Sequence, residues 1–311
     1  MTGTPAIGVD IGGTNTRVAA VDRGNGTIIE KESFFTDPLE GAESFLTRTS
    51  EAIEKVMGQI EARPDEIGVG CPGPIDPFTG TILDPPNLAG LHQVKLKDEM
   101  ERMTGMKVTV DNDANAAALA ETHFGAASGE KSAVYVTVST GVGGGITLNG
   151  RLVSGKTGNA GEIGNMIVDP GFSGEQITSS GHMGSGTLER LASGTAIGLA
   201  GKEQLGLSGK AEEVFELAGE GNSGAQAIID RAIGYLAIAT ANLANTLDPD
   251  VFVFGGGVMK QKSVIPKLAE LTRGCLYPSL AGTLDIRSAA LGQDAGVIGA
   301  ALLPTYRQMD E

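Results

Sequence analysis

Apolar residues follow two rhythms along the chain. Short runs built around apolar residues (Ala6–Val9, Thr16–Val21, Ile67–Gly70, Val108–Val110, Ala133–Val138, Gly145–Leu148 and Val251–Phe254) are strand-sized, and most are flanked by Gly, Asp or Asn. Elsewhere the spacing is helical: Phe45, Leu46, Ile53, Val56, Met57 and Ile60 predict an amphipathic helix over 42–61. Further helices are predicted over 113–124 and 225–247 and near 265–273 and 295–303, with Asn112 or Asp113 placed to cap the first of them. The stretch 71–90, dense in Pro, Gly and Asp, reads as a long ordered loop. Strands alternating with helices predict an α/β fold.

Two segments open in the same way, with a strand, a Gly/Thr turn and a returning strand, one starting at Ala6 and the other at Ala133. That points to a structural duplication. With 311 residues the chain exceeds what one core usually serves. Two domains are expected: a small N-terminal α/β domain over 1–120, completed by a C-terminal helix over 295–311, and a larger α/β domain over 121–294.

Composition narrows the function. The 47 glycines cluster beside apolar strands, which suits backbone that approaches a ligand closely. A net charge of -15, no Trp and 4% aromatic residues leave neither the basic footprint nor the stacking surface of a nucleic-acid binder. Cys71 and Cys275 are too few for a disulfide framework and lack metal-ligand spacing, so a reducing, cytoplasmic setting is expected. No basic segment precedes the first apolar run, and Asp10 interrupts it, so no signal peptide is expected. The apolar stretch 233–247 reads as a packed helix, too short and polar to cross a bilayer, and no membrane partner is expected.

Candidate chemistry lies in the turns. Asp10-Ile11-Gly12-Gly13-Thr14-Asn15 sets a carboxylate at a strand end beside backbone N–H groups suited to phosphate, and Arg17 adds a cation. A plain glycine hairpin fits the same residues. The segment is not a Walker loop, since no Gly-Lys-Ser/Thr follows, and it lacks the spacing of a dinucleotide site. Thr137 to Gly145, with Thr140, Gly141 and Gly143 in its turn, repeats the device. Two such turns facing each other across a cleft would grip a polyphosphate. Gly255, Gly256 and Gly257 end a strand and precede a helix, where backbone can pack against a flat base, although a strand-to-helix turn often takes glycine on its own account.

Taken in order, these motifs resemble the ROK family of bacterial sugar kinases and repressors, within the actin-like ATPase superfamily. The first phosphate motif matches Asp10 to Arg17, the second Thr137 to Gly145, and the adenosine motif Gly255 to Val258. Between them stand Cys71-Pro72-Gly73-Pro74, Asn87-Leu88, Asn112-Asp113-Ala114-Asn115, Gly161-Glu162-Ile163-Gly164, Leu188-Glu189 and Ala192-Ser193-Gly194-Thr195. The resemblance implies a duplicated actin-like ATPase (ribonuclease H-like) fold with a cleft between two domains. It implies ATP as donor, Mg²⁺ facing Asp10 through water, and a hexose as acceptor, with O6 of glucose foremost. N-acetylmannosamine, fructose or another hexose, polyphosphate as donor, and a non-catalytic sugar-responsive regulator are the alternatives. Asp113 is implied as catalytic base, with Gly73, Asn87, Asn112, Glu162, Asn165 and Glu189 around the sugar. Relatives are commonly homodimers, which extends the expectation of a homodimer to this chain.

The chain departs from the family where many relatives bind structural zinc. The corresponding positions are Asn165, Ser180, His182 and Thr187; only His182 is a zinc ligand type, so no structural zinc is expected. The loop 170–186 must then be ordered by other means. Asn165 also replaces a histidine that touches the sugar in relatives. Leu91 stands where Trp is frequent. Repressors of this family carry a helix-turn-helix domain ahead of a first phosphate motif that here starts at Ile7, so the repressor reading is weak.

Overall fold

The computed structural model describes residues 4–169 and 186–306. Its first sheet contains β1 (Pro5–Ile11), β2 (Asn15–Asp22), β3 (Ile28–Phe35), β4 (Glu66–Cys71) and β7 (Lys107–Asn112) in the order β3-β2-β1-β4-β7. A small hairpin, β5 (Ile75–Asp76) and β6 (Thr81–Ile82), lies between β4 and β7 in sequence. The second sheet contains β8 (Ser132–Val138), β9 (Val142–Leu148), β10 (Arg151–Leu152), β11 (Val251–Gly255) and β12 (Ile286–Ser288) in the order β10-β9-β8-β11-β12. Both sheets place their strands third, second, first, fourth, fifth. The duplication expected from the two similar openings is therefore present in the topology.

Burial explains why these segments are strands. β1 and β4 are buried almost throughout, so their apolar runs are continuous, whereas β3 alternates half-buried and exposed residues as an edge strand does. The sequence reading missed β3, whose Ile-Ile-Glu-Lys-Glu-Ser-Phe-Phe mixes charge into the alternation.

Against β2 and β3 packs α1 (Ala42–Gly58), burying Phe45, Leu46, Ile53 and Val56 on one face. α2 (Leu96–Thr104) buries Leu96 and Met100 and stops at Gly105, whose φ of 70° is left-handed. α3 (Asp113–Phe124) and α10 (Ala295–Tyr306) pack on each other, and α10 lies on β1 and β4. Here backbone meets backbone. A Cβ on Gly68 would lie within 1.7 Å of the Ala300 carbonyl oxygen, and one on Gly8 within 2.0 Å of that of Val297. Glycine is required there by space, not by dihedral freedom. Glu121, buried near the end of α3, accepts the N–H groups of Ala126, Ala290 and Leu291 and so ties α3 to the loop entering α10.

The helices of the second half are α4 (Leu188–Ala192), α5 (Gly194–Leu205), α6 (Ala211–Gly219), α7 (Ser223–Leu247), α8 (Val264–Gly274) and α9 (Pro278–Thr283). At 25 residues α7 is long and apolar enough to cross a membrane by length and composition, because it begins ten residues before the apolar stretch 233–247. Contrary to the expectation from that stretch alone, the helix is not too short to cross a bilayer. In the protein 56% of its apolar window is buried, as in a core helix.

Two compact units result. One comprises Met1–Ala133, Gly145–Gly161 and Ala290–Glu311; the other comprises Val134–Gly144 and Glu162–Ala289. The division falls after residue 133 instead of residue 120, because α3 runs across position 120 and belongs with α10.

Candidate active site

In the first unit the expected residues gather at the carboxyl ends of parallel strands, the side on which open α/β sheets present their ligands. The register pairs Asp10 of β1 with Gly70 of β4, and Gly70 with Asp111 of β7. Two strand spacings, about 10 Å, thus separate the strand end bearing Asp10 from that leading to Asp113. Asn112 caps α3: its Oδ1 accepts the Ala114 N–H at 2.8 Å, and Oδ1 of Asp113, the first helical residue, accepts the same N–H at 2.8 Å. Cys71, fully buried between them, has its thiol pushed well above the ordinary range by burial and then by the charges of Asp113 and Asp10.

The β1–β2 hairpin closes through the Gly12 N–H donating to the Asn15 carbonyl at 3.0 Å. Gly13, Thr14 and Asn15 are exposed. Among the described residues the N–H groups of Gly13 and Thr14 donate to no protein acceptor, and exposed N–H groups of this kind can take phosphate oxygens. Arg17 Nη1 donates to Asp10 Oδ2 at 3.1 Å. Burial raises the Asp10 carboxyl, Arg17 lowers it, and Asp294 raises it again. A Cβ on Gly296 would meet the Asp10 carboxylate at 2.7 Å, so that carboxylate sits against the first turn of α10. Asn87 is exposed beside the hairpin, its carbonyl 3.3 Å from where a Gly13 Cβ would stand. Gly73 lies half-buried just beyond β4.

In the second unit the turn between β8 and β9 carries Thr140 and Gly141, whose N–H groups also have no protein acceptor among the described residues. Gly143 follows, half-buried in β9. Glu189, in the first turn of α4, accepts the Val142 N–H at 2.9 Å, and a Cβ on Gly141 would come within 2.4 Å of its carboxylate. Asn165 Nδ2 donates to Glu162 Oε2 at 3.3 Å. Glu162 reaches solvent, yet the chain around it desolvates the carboxyl and raises its pKa, neighbouring Glu189 raises it further, and Asn165 lowers it. Glu162, Asn165 and Glu189 therefore form one polar cluster beside the turn, with the hydroxyl-binding chemistry a polyol requires.

Gly255 is buried against the Tyr135 hydroxyl, and Gly256, at φ 93°, packs on the Val138 carbonyl. Only Gly257 of the three is exposed, and Gly256 is half-buried, so Gly255 offers no surface to a ligand. Thr195 went unassigned in the sequence reading although its motif was noted. Its Oγ1 donates to the Thr140 carbonyl at 2.8 Å, and the Gly194 N–H to that of Ser139 at 2.7 Å, fastening the start of α5 to the turn. Of the positions bearing on zinc, Asn165 and Thr187 are described, while Ser180 and His182 lie outside the described residues, as does 170–185 of the loop. Among the described residues no group of three or more His, Cys, Asp or Glu is placed to hold a metal.

The ROK family profile matches residues 6–306. The chain belongs to the ROK family. A glucokinase of Halalkalibacterium halodurans is 37% identical over 96% of this chain and 94% of its own. The crystal structure of a ROK hexokinase from Thermus thermophilus superposes with a TM-score of 0.87 at 36% identity, covering 96% of this chain and 97% of that one. A ROK glucokinase from Streptomyces griseus, crystallised with glucose and AMPPNP, gives 0.79 at 30% identity over 98% of this chain and all of that one. The duplicated sheets are accordingly those of the actin-like ATPase fold.

Proposed function

We propose that this ROK protein is an ATP-dependent hexose kinase that phosphorylates glucose at O6. The observation that carries the reading is the pair of strand ends in the first unit: an exposed hairpin with unengaged N–H groups after Asp10, and a helix-initiating carboxylate, Asp113, two strands away. The glucokinase named for its Halalkalibacterium relative and the glucose and AMPPNP held by its Streptomyces relative point the same way.

Phosphoryl transfer has a loose transition state, so the protein's part is to position the reactants, spread charge and accept one proton. In this reading the N–H groups of Gly13, Thr14, Thr140 and Gly141 hold phosphate oxygens, and Arg17 adds a positive charge. Asp10 fits Mg²⁺ as a single carboxylate with one oxygen already engaged by Arg17, suited to an ion that keeps several waters. When bound, Mg²⁺ supplies neutralisation of the phosphate charge. Asn87, Asn112, Glu162, Asn165 and Glu189 orient the sugar hydroxyls, and a missing hydroxyl leaves one of them unpaired. Asp113 takes the O6 proton as the terminal phosphoryl group transfers. We place the enzyme in the cytoplasm as a homodimer, an assignment that fractionation and sedimentation check.

An ADP-release assay over a panel of hexoses and amino sugars, with and without chelator, tests the reading. Glucose-dependent release that chelator abolishes is expected. Release without any sugar, or a preference for N-acetylmannosamine, overturns the glucose assignment.

A further inference from the structure

We propose that Thr36, a residue in no motif of the family pattern described above, is a positioning residue that fixes the direction of the phosphate-binding Gly13 N–H in the first hairpin. The proposal rests on the kinase reading for its functional meaning, and on hydrogen bonds for its geometry. Thr36 is completely buried just beyond β3. Its N–H donates to the Thr14 carbonyl at 2.8 Å and its Oγ1 to the Gly12 carbonyl at 2.6 Å. The Thr16 hydroxyl lies 3.0 Å from the Thr36 hydroxyl. A hydroxyl has one proton, and that of Thr36 is committed to Gly12, so Thr16 donates to Thr36.

The consequence follows from peptide planarity. In a trans peptide the C=O and the next residue's N–H point in opposite directions. By holding the Gly12 carbonyl, Thr36 turns the phosphate-binding Gly13 N–H away from itself, and its own N–H, holding the Thr14 carbonyl, keeps the next peptide in place. Without that hold, the Gly12–Gly13 peptide has little to stop it rotating, since neither residue has a side chain to restrict it. Thr36 is held in turn: Arg48 of α1 donates from Nη2 to the Thr36 carbonyl at 2.8 Å and from Nη1 to that of Phe35, while its guanidinium lies 5.5 Å from the centre of the Phe34 ring. A line of contacts thus runs from α1 through Thr36 to the hairpin. The Thr36 hydroxyl bonds to Thr16 and to the Gly12 carbonyl and, among the described residues, to none of Asn87, Asn112 or Asp113, so its loss is expected to act on nucleotide and not on sugar.

The test compares Thr36→Val, which keeps the shape and the N–H but loses the hydroxyl, with Thr36→Ser, which keeps both polar groups. Calorimetry reads the Kd of Mg-ATP and of glucose separately, and ADP release reads turnover. Thr36→Val should weaken Mg-ATP about tenfold, the worth of one buried hydrogen bond, and leave the glucose Kd within about twofold. Thr36→Ser should restore Mg-ATP binding to within about twofold of the parent. Equal Mg-ATP affinity in Thr36→Val and parent, or equal weakening of both ligands, overturns the proposal. If Thr36→Val does not fold, Arg48→Met loosens the same line one step further back and is judged by the same criterion. A parent protein that binds Mg-ATP but never phosphorylates a sugar overturns the kinase reading alone, because the comparison of nucleotide affinities still stands.

Discussion

Set side by side, β1 and β8 with their turns read Pro-Ala-Ile-Gly-Val-Asp-Ile-Gly-Gly-Thr and Ser-Ala-Val-Tyr-Val-Thr-Val-Ser-Thr-Gly. They occupy the same place in two sheets of the same strand order. Asp10 corresponds to Thr137, and Gly8 to Tyr135. The first substitution separates charge from hydroxyl chemistry: the first strand end has a carboxylate paired with Arg17, while the second is uncharged and borrows its carboxylates from Glu162 and Glu189. The other separates two ways of packing. Gly8 gives up its side chain so that α10 can lie against the strand, whereas Tyr135 keeps an aromatic ring whose hydroxyl fills the space a Gly255 side chain would need. Duplicated topology preserves where the turns end their strands, and single positions then decide which side-chain chemistry each half presents.

That contrast is sharpened first by Asp113→Asn. Turnover should fall about 10²- to 10⁴-fold with glucose binding kept, as for loss of a positioned base; near-normal ADP release would remove Asp113 from the chemistry. Gly8→Ala comes next, since the added Cβ meets backbone that cannot turn aside. It should cost about 3 kcal/mol in urea denaturation. Glu189→Gln should lower kcat/KM for glucose about 10- to 100-fold, because a charged acceptor is lost from the cluster with Glu162 and Asn165, proposed above to orient the sugar, and from the Val142 N–H. Tyr135→Phe, at the position matching Gly8, should cost only about 1 kcal/mol by the same denaturation.

The smallest effect concerns pH. Burial and Glu189 raise the Glu162 carboxyl above its ordinary 4.5, so the folded chain favours the protonated form. The stability this contributes is full below that ordinary value and is lost as pH rises through the raised one. Glu162→Gln should flatten this decline, seen as a smaller drop in Tm on going from acid to neutral pH. An unchanged slope would show that Glu162 is not desolvated.

The local structure of the motifs was legible in the sequence: Asn112 caps α3, and Gly12 and Gly13 stand where the β1–β2 hairpin turns. What escaped was set by distant contacts. β3 went unassigned: its Glu30, Lys31 and Glu32 suit an edge strand, and edge position is a property of the sheet. Thr195 and Thr36 gain their meaning from carbonyls 55 and 24 positions away. The helix predicted over 225–247 matches to within two residues at its start and to the residue at its end, and only the membrane argument, drawn from the shorter stretch 233–247, fell short of its length.

The helix that seals the first sheet has a consequence for how the protein is made. Nearly 290 positions separate Gly8 from Val297, whose carbonyl lies against it. A ribosome must therefore finish almost all of the second half before β1 receives its cover. Until then the earliest strand waits as an unfinished surface, a task for chaperones or for a temporary fold of the nascent chain.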